Sequence, residues 1–311
     1  MAKPRNKYLD YLTYIALRIF AMVVHMFPWR ANYVTARLIG NLMYIFDRRH
    51  RNRALAHLRL SFPDWPEEKY HKVAKASVRS LVYLGLEVLL GTRLITPTRW
   101  RRHVKLVNQE ENIRMLVERK TPLICVTGHF GNWEVVGYTL ATLGFPCYAV
   151  ARPLDNPYIN EYIMGAREKT GLRILHKKGA TETVDDILAA GGVVSFIADQ
   201  DAGRKGMFVD FFGRPASTYK SIGLMAMQYG APVIVGYGRR LKEGFNFELG
   251  VQRIIHPHQW ADKRDPLRWI TQAYTTALEQ TIRRAPEQYL WVHRRWKHRP
   301  KGQQGGPDGV A

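Results

Sequence analysis

The apolar positions of this chain keep two different rhythms. From Leu12 to Phe27 nearly every residue is apolar, broken by Arg18 and His25. That run is about 16 residues, short of the roughly 20 that cross a bilayer. From Ala31 to Leu94 the spacing is helical: Val78, Leu81, Val82, Leu86, Leu89 and Leu90 step by three or four, as one face of a helix requires. The turn Phe62-Pro63-Asp64-Trp65-Pro66 separates two of these helices, with Asp64 as a plausible cap. From about Val104 short apolar runs alternate with helical patterns. Strands are predicted at Leu123–Thr127, Cys147–Ala151, Arg173–Leu175, Val193–Ala198, Val233–Tyr237 and Phe245–Val251. Helices are predicted at Glu110–Lys120, Trp133–Leu143, Pro157–Thr170, Thr181–Ala190 and Tyr219–Tyr229, with a last one from about Asp265 to Ala285. Alternation of this kind predicts an α/β fold with a mainly parallel sheet flanked by helices.

Three regions follow: an N-terminal membrane-anchoring helix over residues 1–30, a main domain over 31–299 that is helical to about residue 100 and α/β after it, and a tail over 300–311, rich in Gly and Gln, expected to be disordered. The N-terminal apolar run has basic residues at both ends and no small-residue cleavage site after it, so neither a simple span nor a secretory signal is expected. It reads as an interfacial or shallowly inserted helix with Tyr8, Tyr11, Tyr14, Trp29 and Tyr33 near headgroup level, or else as a buried core helix.

Charge narrows the partners. Lys and Arg number 47 against 26 Asp and Glu, a net charge of +21. Such a field attracts anionic lipid, a phosphorylated substrate, an acidic protein or nucleic acid. The run Gln288-Tyr289-Leu290-Trp291-Val292-His293-Arg294-Arg295-Trp296-Lys297 interleaves aromatics with bases. It suits headgroups or nucleic acid, or a solvated basic face with its aromatics in the core. Mean hydropathy of −0.28 argues against a polytopic membrane protein. The two cysteines, Cys125 and Cys147, lie in predicted strands and read as buried, reduced thiols.

The candidate chemistry gathers where predicted strands end. His129 and Glu134 lie in Gly128-His129-Phe130-Gly131-Asn132-Trp133-Glu134, between a strand and a helix. A carboxylate on one imidazole nitrogen fixes the tautomer and frees the other nitrogen to take a hydroxyl proton. With 11 His and 26 acids in the chain this spacing arises about once by chance, and it is the context that raises it. Arg152, directly after the next strand, suits a phosphate or a developing oxyanion, or a structural pair with Asp155 or Asp199. Asp199 and Asp201 follow a third strand and are read as pairing Arg152, orienting His129 or binding a metal; without a nearby His or third acid, pairing is favoured and no metal is expected. Ligands bind outside the carboxyl ends of strands in an open parallel sheet, so the three turns are expected to share one crevice. The segment Phe208–Pro215 suits an acyl pocket or ordinary core. No Gly-x-Ser-x-Gly elbow is present, so no acyl-enzyme is expected.

Taken together, His129–Glu134, Ala151–Pro157, Asp199-Gln200-Asp201, Phe211-Phe212-Gly213 with Ala216 and Thr218, and Gln288–Lys297 resemble the late acyltransferases of lipid A biosynthesis. These form the lauroyl/myristoyl branch of the lysophospholipid acyltransferase superfamily. The resemblance implies a glycerolphosphate-acyltransferase-like fold at the cytoplasmic face of the inner membrane. It implies transfer of an acyl chain from acyl carrier protein to a hydroxyl of an anionic glycolipid, with no cofactor and no nucleic acid. By position His129 and Glu134 match the catalytic pair, and Arg152, Asn132, Asp199 and Asp201 are expected on the substrate or oxyanion. Related enzymes act on phosphatidylinositol mannosides, so the acceptor stays open. The rivals are a lipid hydrolase and a non-catalytic basic surface-binding protein.

Overall fold

The computed structural model describes residues 6–169, 171–176, 180–242, 244–300 and 302. Four helices come first: α1 (Lys7–Met26), α2 (Trp29–Phe46), α3 (Arg48–Ser61) and α4 (Glu67–Leu94). Asn6 starts α1 by accepting from the Tyr8 and Leu9 amides, which satisfies two of the helix's orphan donors. Asp47 ends α2 and caps α3 through the His50 amide. The helix α2 turns Tyr33, Ala36, Gly40 and Tyr44 inward onto α4. Gly40 permits the close crossing, because a Cβ there would lie 2.8 Å from the Arg79 Cα.

The rest of the chain is the α/β layer: β1 (Val104–Val107), α5 (Glu110–Glu118), β2 (Leu123–Thr127), α6 (Trp133–Thr142), β3 (Tyr148–Ala151), α7 (Pro157–Glu168), β4 (Arg173–His176), α8 (Ala180–Ala189), β5 (Val193–Ile197), β6 (Met207–Phe211), β7 (Arg214–Thr218), α9 (Ser221–Tyr229), β8 (Val233–Arg240), β9 (Phe247–Ile255) and α10 (Pro266–Arg284). Seven strands form one sheet in the order β1-β9-β8-β2-β5-β3-β4. Every pairing is parallel except β8 with β9. The mainly parallel α/β fold is therefore as predicted. Both faces of the central strands are buried. Ile124 and Val126 pack with α8, α9 and α10 on one side, and Leu123 and Cys125 pack under α6 on the other. Full burial of each such side chain stabilises by about 1.5–3 kcal/mol, which is why these strands read as continuous apolar runs.

Three strands lie outside the predicted set. β1 is a four-residue edge strand. β6 and β7 form a separate antiparallel hairpin whose turn residues, Phe212 and Gly213, both take positive φ. The hairpin answers the question left open for Phe208–Pro215: Phe211, Phe212 and Ala216 are core, packed with Leu58, Trp291 and Trp296. The C-terminal run resolves likewise. Trp291 and Trp296 are buried, and Arg295 points inward, with Nη2 2.6 Å from the Thr218 hydroxyl and Nη1 on the Ser217 carbonyl. Apart from Pro300 and Gly302, the tail after Arg299 lies outside the described residues.

Candidate active site

Strand register builds the site. In the β2–β5 pair Thr127 sits opposite Ile197, and the Ala198 amide bonds the Thr127 carbonyl. Two residues beyond that pair, His129 and Asp199 come face to face. Asp199 Oδ2 accepts the His129 backbone amide at 2.7 Å, and Oδ1 lies 2.7 Å from Nδ1. The carboxylate is 2% exposed and the imidazole 17%. Gly128 permits the approach, since a Cβ there would lie 3.2 Å from the carboxyl group. Burial pushes the Asp199 carboxyl up, but the charge and hydrogen bonds of His129 outweigh it and hold the pKa below the ordinary value. An ionised Asp199 accepts only, so in the neutral imidazole Nδ1 carries the proton and Nε2 keeps a lone pair, while the imidazolium pairs with the carboxylate's charge. Gln200 Nε2 lies 3.3 Å from that nitrogen.

The turn carrying His129 is held from several sides. The Gly131 amide bonds the Gln288 carbonyl, the Asn132 amide bonds Gly238, and the Leu290 amide bonds the His129 carbonyl. Gly131 has φ +58, and a Cβ there would lie 1.9 Å from the Gly238 carbonyl oxygen. Asn132 is fully buried; its Oδ1 caps α6 through the Val135 amide and its Nδ2 reaches Glu87 at 2.8 Å. Glu87 in turn takes Arg240 Nε and Nη2 at 2.6 and 2.7 Å and the Tyr33 hydroxyl at 2.6 Å. A buried, fully bonded ion pair thus ties α4 and β8 to the start of α6.

Glu134 does not orient His129. Its carboxylate takes Arg167 Nε at 2.9 Å and Nη2 at 2.5 Å, with the Trp133 indole at 3.2 Å. The first turn of α6 points it toward α7 instead of back along the loop. Arg152 takes the structural alternative, the pair with Asp155, and not the substrate or oxyanion position. Its side chain is 78% exposed and bonds Asp155 at 3.1 Å, so the second of the three turns keeps its charge outside the crevice. Asp201 bonds His298 at 2.6 Å and the Gly203 amide at 3.2 Å, and its own amide points to His293 Nε2 at 3.3 Å. Burial pushes the pKa of His293 down to about 4. Arg167 was missed altogether; in sequence it is one more basic residue near a helix end.

Beside this centre an apolar cavity of about 130 Å³ runs between the sheet and α6. Leu140, Ala149, Leu172, Ile174 and Ile234 line it, and Glu134 and Arg167 form its polar wall. Trp133 joins the two spaces: it lines the cavity, and its ring lies 4.7 Å from His129 in an edge contact. Cys125 faces the cavity too, but burial pushes its thiol far above the usual range, which makes it a poor nucleophile. A second small hollow, lined by Ser77, Leu81, Leu84 and Leu290, reaches His129 from the α4 side.

An imidazole held by a buried carboxylate, next to an apolar slot in an α/β sheet, suits an enzyme that handles acyl chains. The chain belongs to the bacterial lipid A biosynthesis acyltransferase family, which it matches over residues 2–298; it is an acyltransferase. It is 27% identical to the lipid A biosynthesis lauroyltransferase of Escherichia coli (strain K12), over 94% of this chain and 93% of that protein. It is also 27% identical to the palmitoleoyltransferase of the same strain, over 94% and 93%. A phosphatidylinositol mannoside acyltransferase of Mycobacterium tuberculosis (strain H37Rv) is 25% identical over 54% of this chain and 52% of its own length.

Proposed function

We infer that this protein transfers a fatty acyl chain from acyl carrier protein to a hydroxyl of a lipid A precursor, at the cytoplasmic face of the inner membrane. The observation that carries the chemistry is the His129–Asp199 contact beside the apolar cavity. His129 Nε2 takes the proton of the acceptor hydroxyl, and Asp199 holds the tautomer and balances the imidazolium. The oxygen attacks the thioester carbonyl, the carbon–sulfur bond breaks, and His129 returns the proton to the leaving thiolate. The acyl chain lies in the cavity under α6. Arg167, held by Glu134 at the cavity wall, stabilises the oxyanion in place of the exposed Arg152. Asn132 and Asp201 position the turns and do not touch substrate.

The similarity to lauroyl- and palmitoleoyltransferases supports the lipid A acceptor. The phosphatidylinositol mannoside acyltransferase makes a mannosylated lipid the second acceptor to try. The net charge of +21 suits an acidic carrier as donor. The donor is tested by steady-state kinetics with the same acyl chain on acyl carrier protein and on coenzyme A, from low to high salt. The carrier-bound donor is expected to have the higher kcat/KM, falling with salt. Equal and salt-insensitive use of both donors refutes carrier docking, and a stoichiometric acyl adduct by intact mass refutes direct transfer.

A further inference from the structure

We propose that α1 does not cross the bilayer, and that α1 and α2 together form one platform lying in the plane of a single lipid leaflet. The inference rests on the membrane-bound part of the reading above. Helix α1 is apolar enough to span, by length and composition. Its contacts exclude that orientation. Near its start, the Asp10 carbonyl accepts from Asn156 Nδ2, and Tyr11 and Tyr14 make edge contacts with Tyr158 and Tyr162 of α7. Near its end, Ala21 and Val24 are buried in the cluster that holds α4, and the His25 carbonyl accepts from Arg93. The helix is 20 residues long, about 30 Å, and is fastened at both ends to the same domain. A transverse α1 would draw the exposed Asp155 and Glu161 of the α7 region into hydrocarbon, at several kcal/mol each.

Helix α2 is built the opposite way from a water-facing helix. Three of its polar side chains point inward: Tyr33 to Glu87, Asn41 to Arg79, Tyr44 to His71. Its outward face carries Val34, Leu38, Leu42, Ile45 and Phe46, the last 78% exposed. The apolar surface continues through the link, where Met26 and Phe27 are exposed, onto Leu9, Leu12 and Phe20 of α1. A patch of this extent on a monomer marks a binding surface. Lipid is the occupant because the exposed charges of α1 and α2 are Lys7, Arg18 and Arg30, all basic, and Arg48 and Arg49 follow directly. Aromatic residues and bases around an apolar face match an anionic leaflet. Both helices rest on α4, whose Leu81 and Leu84 line the hollow over His129, so a lipid acceptor reaches the base without leaving the leaflet.

The test uses the full chain and vesicles of phosphatidylethanolamine and phosphatidylglycerol, with no activity readout. Leu38→Glu with Leu42→Glu is expected to lower vesicle flotation at least 10-fold with circular dichroism and melting unchanged. Unchanged flotation overturns the role of α2, and does so equally if the pair instead turns a dimer into a monomer by sedimentation, which would make the occupant a second copy. Should the double variant fail to fold, labelling decides the rest. Lys7→Cys and Arg30→Cys, in separate proteins, are expected to react alike with an impermeant maleimide added outside reconstituted vesicles. Reaction of only one until detergent is added shows a spanning α1 and overturns the proposal.

Discussion

Replacing Asp199 with Asn changes one atom and places the proton on the wrong side of His129. The carboxylate serves two donors at once, the His129 amide at 2.7 Å and Nδ1 at 2.7 Å. If the new carboxamide oxygen stays on the backbone amide, its NH2 faces Nδ1. Nδ1 must then give up its proton, Nε2 takes it, and no lone pair remains toward the acceptor. If the carboxamide flips, the NH2 meets the backbone amide and a buried donor goes unpaired, costing about 1–3 kcal/mol. The same change in a serine protease triad costs about 10⁴ in kcat, roughly 5 kcal/mol of barrier. A loss of about 10³–10⁴ in kcat is therefore expected for Asp199→Asn, with KM for both substrates nearly unchanged, since Asp199 is 2% exposed. Glu134→Gln leaves the tautomer intact and weakens only the hold on Arg167, so its loss should be smaller. Steady-state kinetics on both variants, with melting curves to confirm folding, decide it. Asp199→Asn within about 10-fold of wild type, with Glu134→Gln the more damaged, would refute the reasoning and restore Glu134 as the essential carboxylate.

Four further outcomes are expected. Folded His293 titrates near pH 4 because it is buried, whereas the unfolded side chain titrates near 6.5, so the unfolded state binds the extra proton in that window. Stability should rise with pH between about 4 and 6.5, by up to about 3 kcal/mol, and urea melts should show that slope reduced in His293→Gln. Glu87→Leu strands the Arg240 charge, which is 6% exposed, and should cost about 3–5 kcal/mol in the same melts; adding Arg240→Leu should restore part of it. Gly131→Ala puts a Cβ where the Gly238 carbonyl stands and should lower both the melting temperature and kcat. Ala149→Phe narrows the cavity under α6 and should shift donor preference to shorter chains in a mixed-chain competition.

Much of the α/β layer was legible because its strands are buried on both faces and its helices are amphipathic. Leu123–Thr127 was read to the residue. Strand direction was not legible: nothing in Phe247–Ile255, with Glu248, Gln252 and Arg253 among its apolar residues, marks the antiparallel pairing with β8. The hairpin Met207–Thr218 escaped because Asp210, Arg214 and Pro215 break its alternation. At the site, His129 stood out through its local context, but its nearest local acid, Glu134, is turned away by the first turn of α6. The acid on His129 is 70 positions further on. Only the register of β2 against β5 brings Asp199 there, and register is a property of the sheet. Arg167 had no local signal, because its partner is chosen by the packing of α7 on α6. Arg152 had a strong local signal, but solvent and Asp155 hold its charge.

The central claim is that His129 activates a lipid hydroxyl toward an acyl thioester. The most direct measurement incubates purified protein with acyl carrier protein bearing a mixture of saturated chains and the Kdo-bearing tetra-acyl lipid A precursor, and reads lipid masses beside His129→Ala. One added acyl chain with wild type and none with the variant is the expected result. Free fatty acid in place of acylated lipid, or an equal gain with His129→Ala, would contradict it.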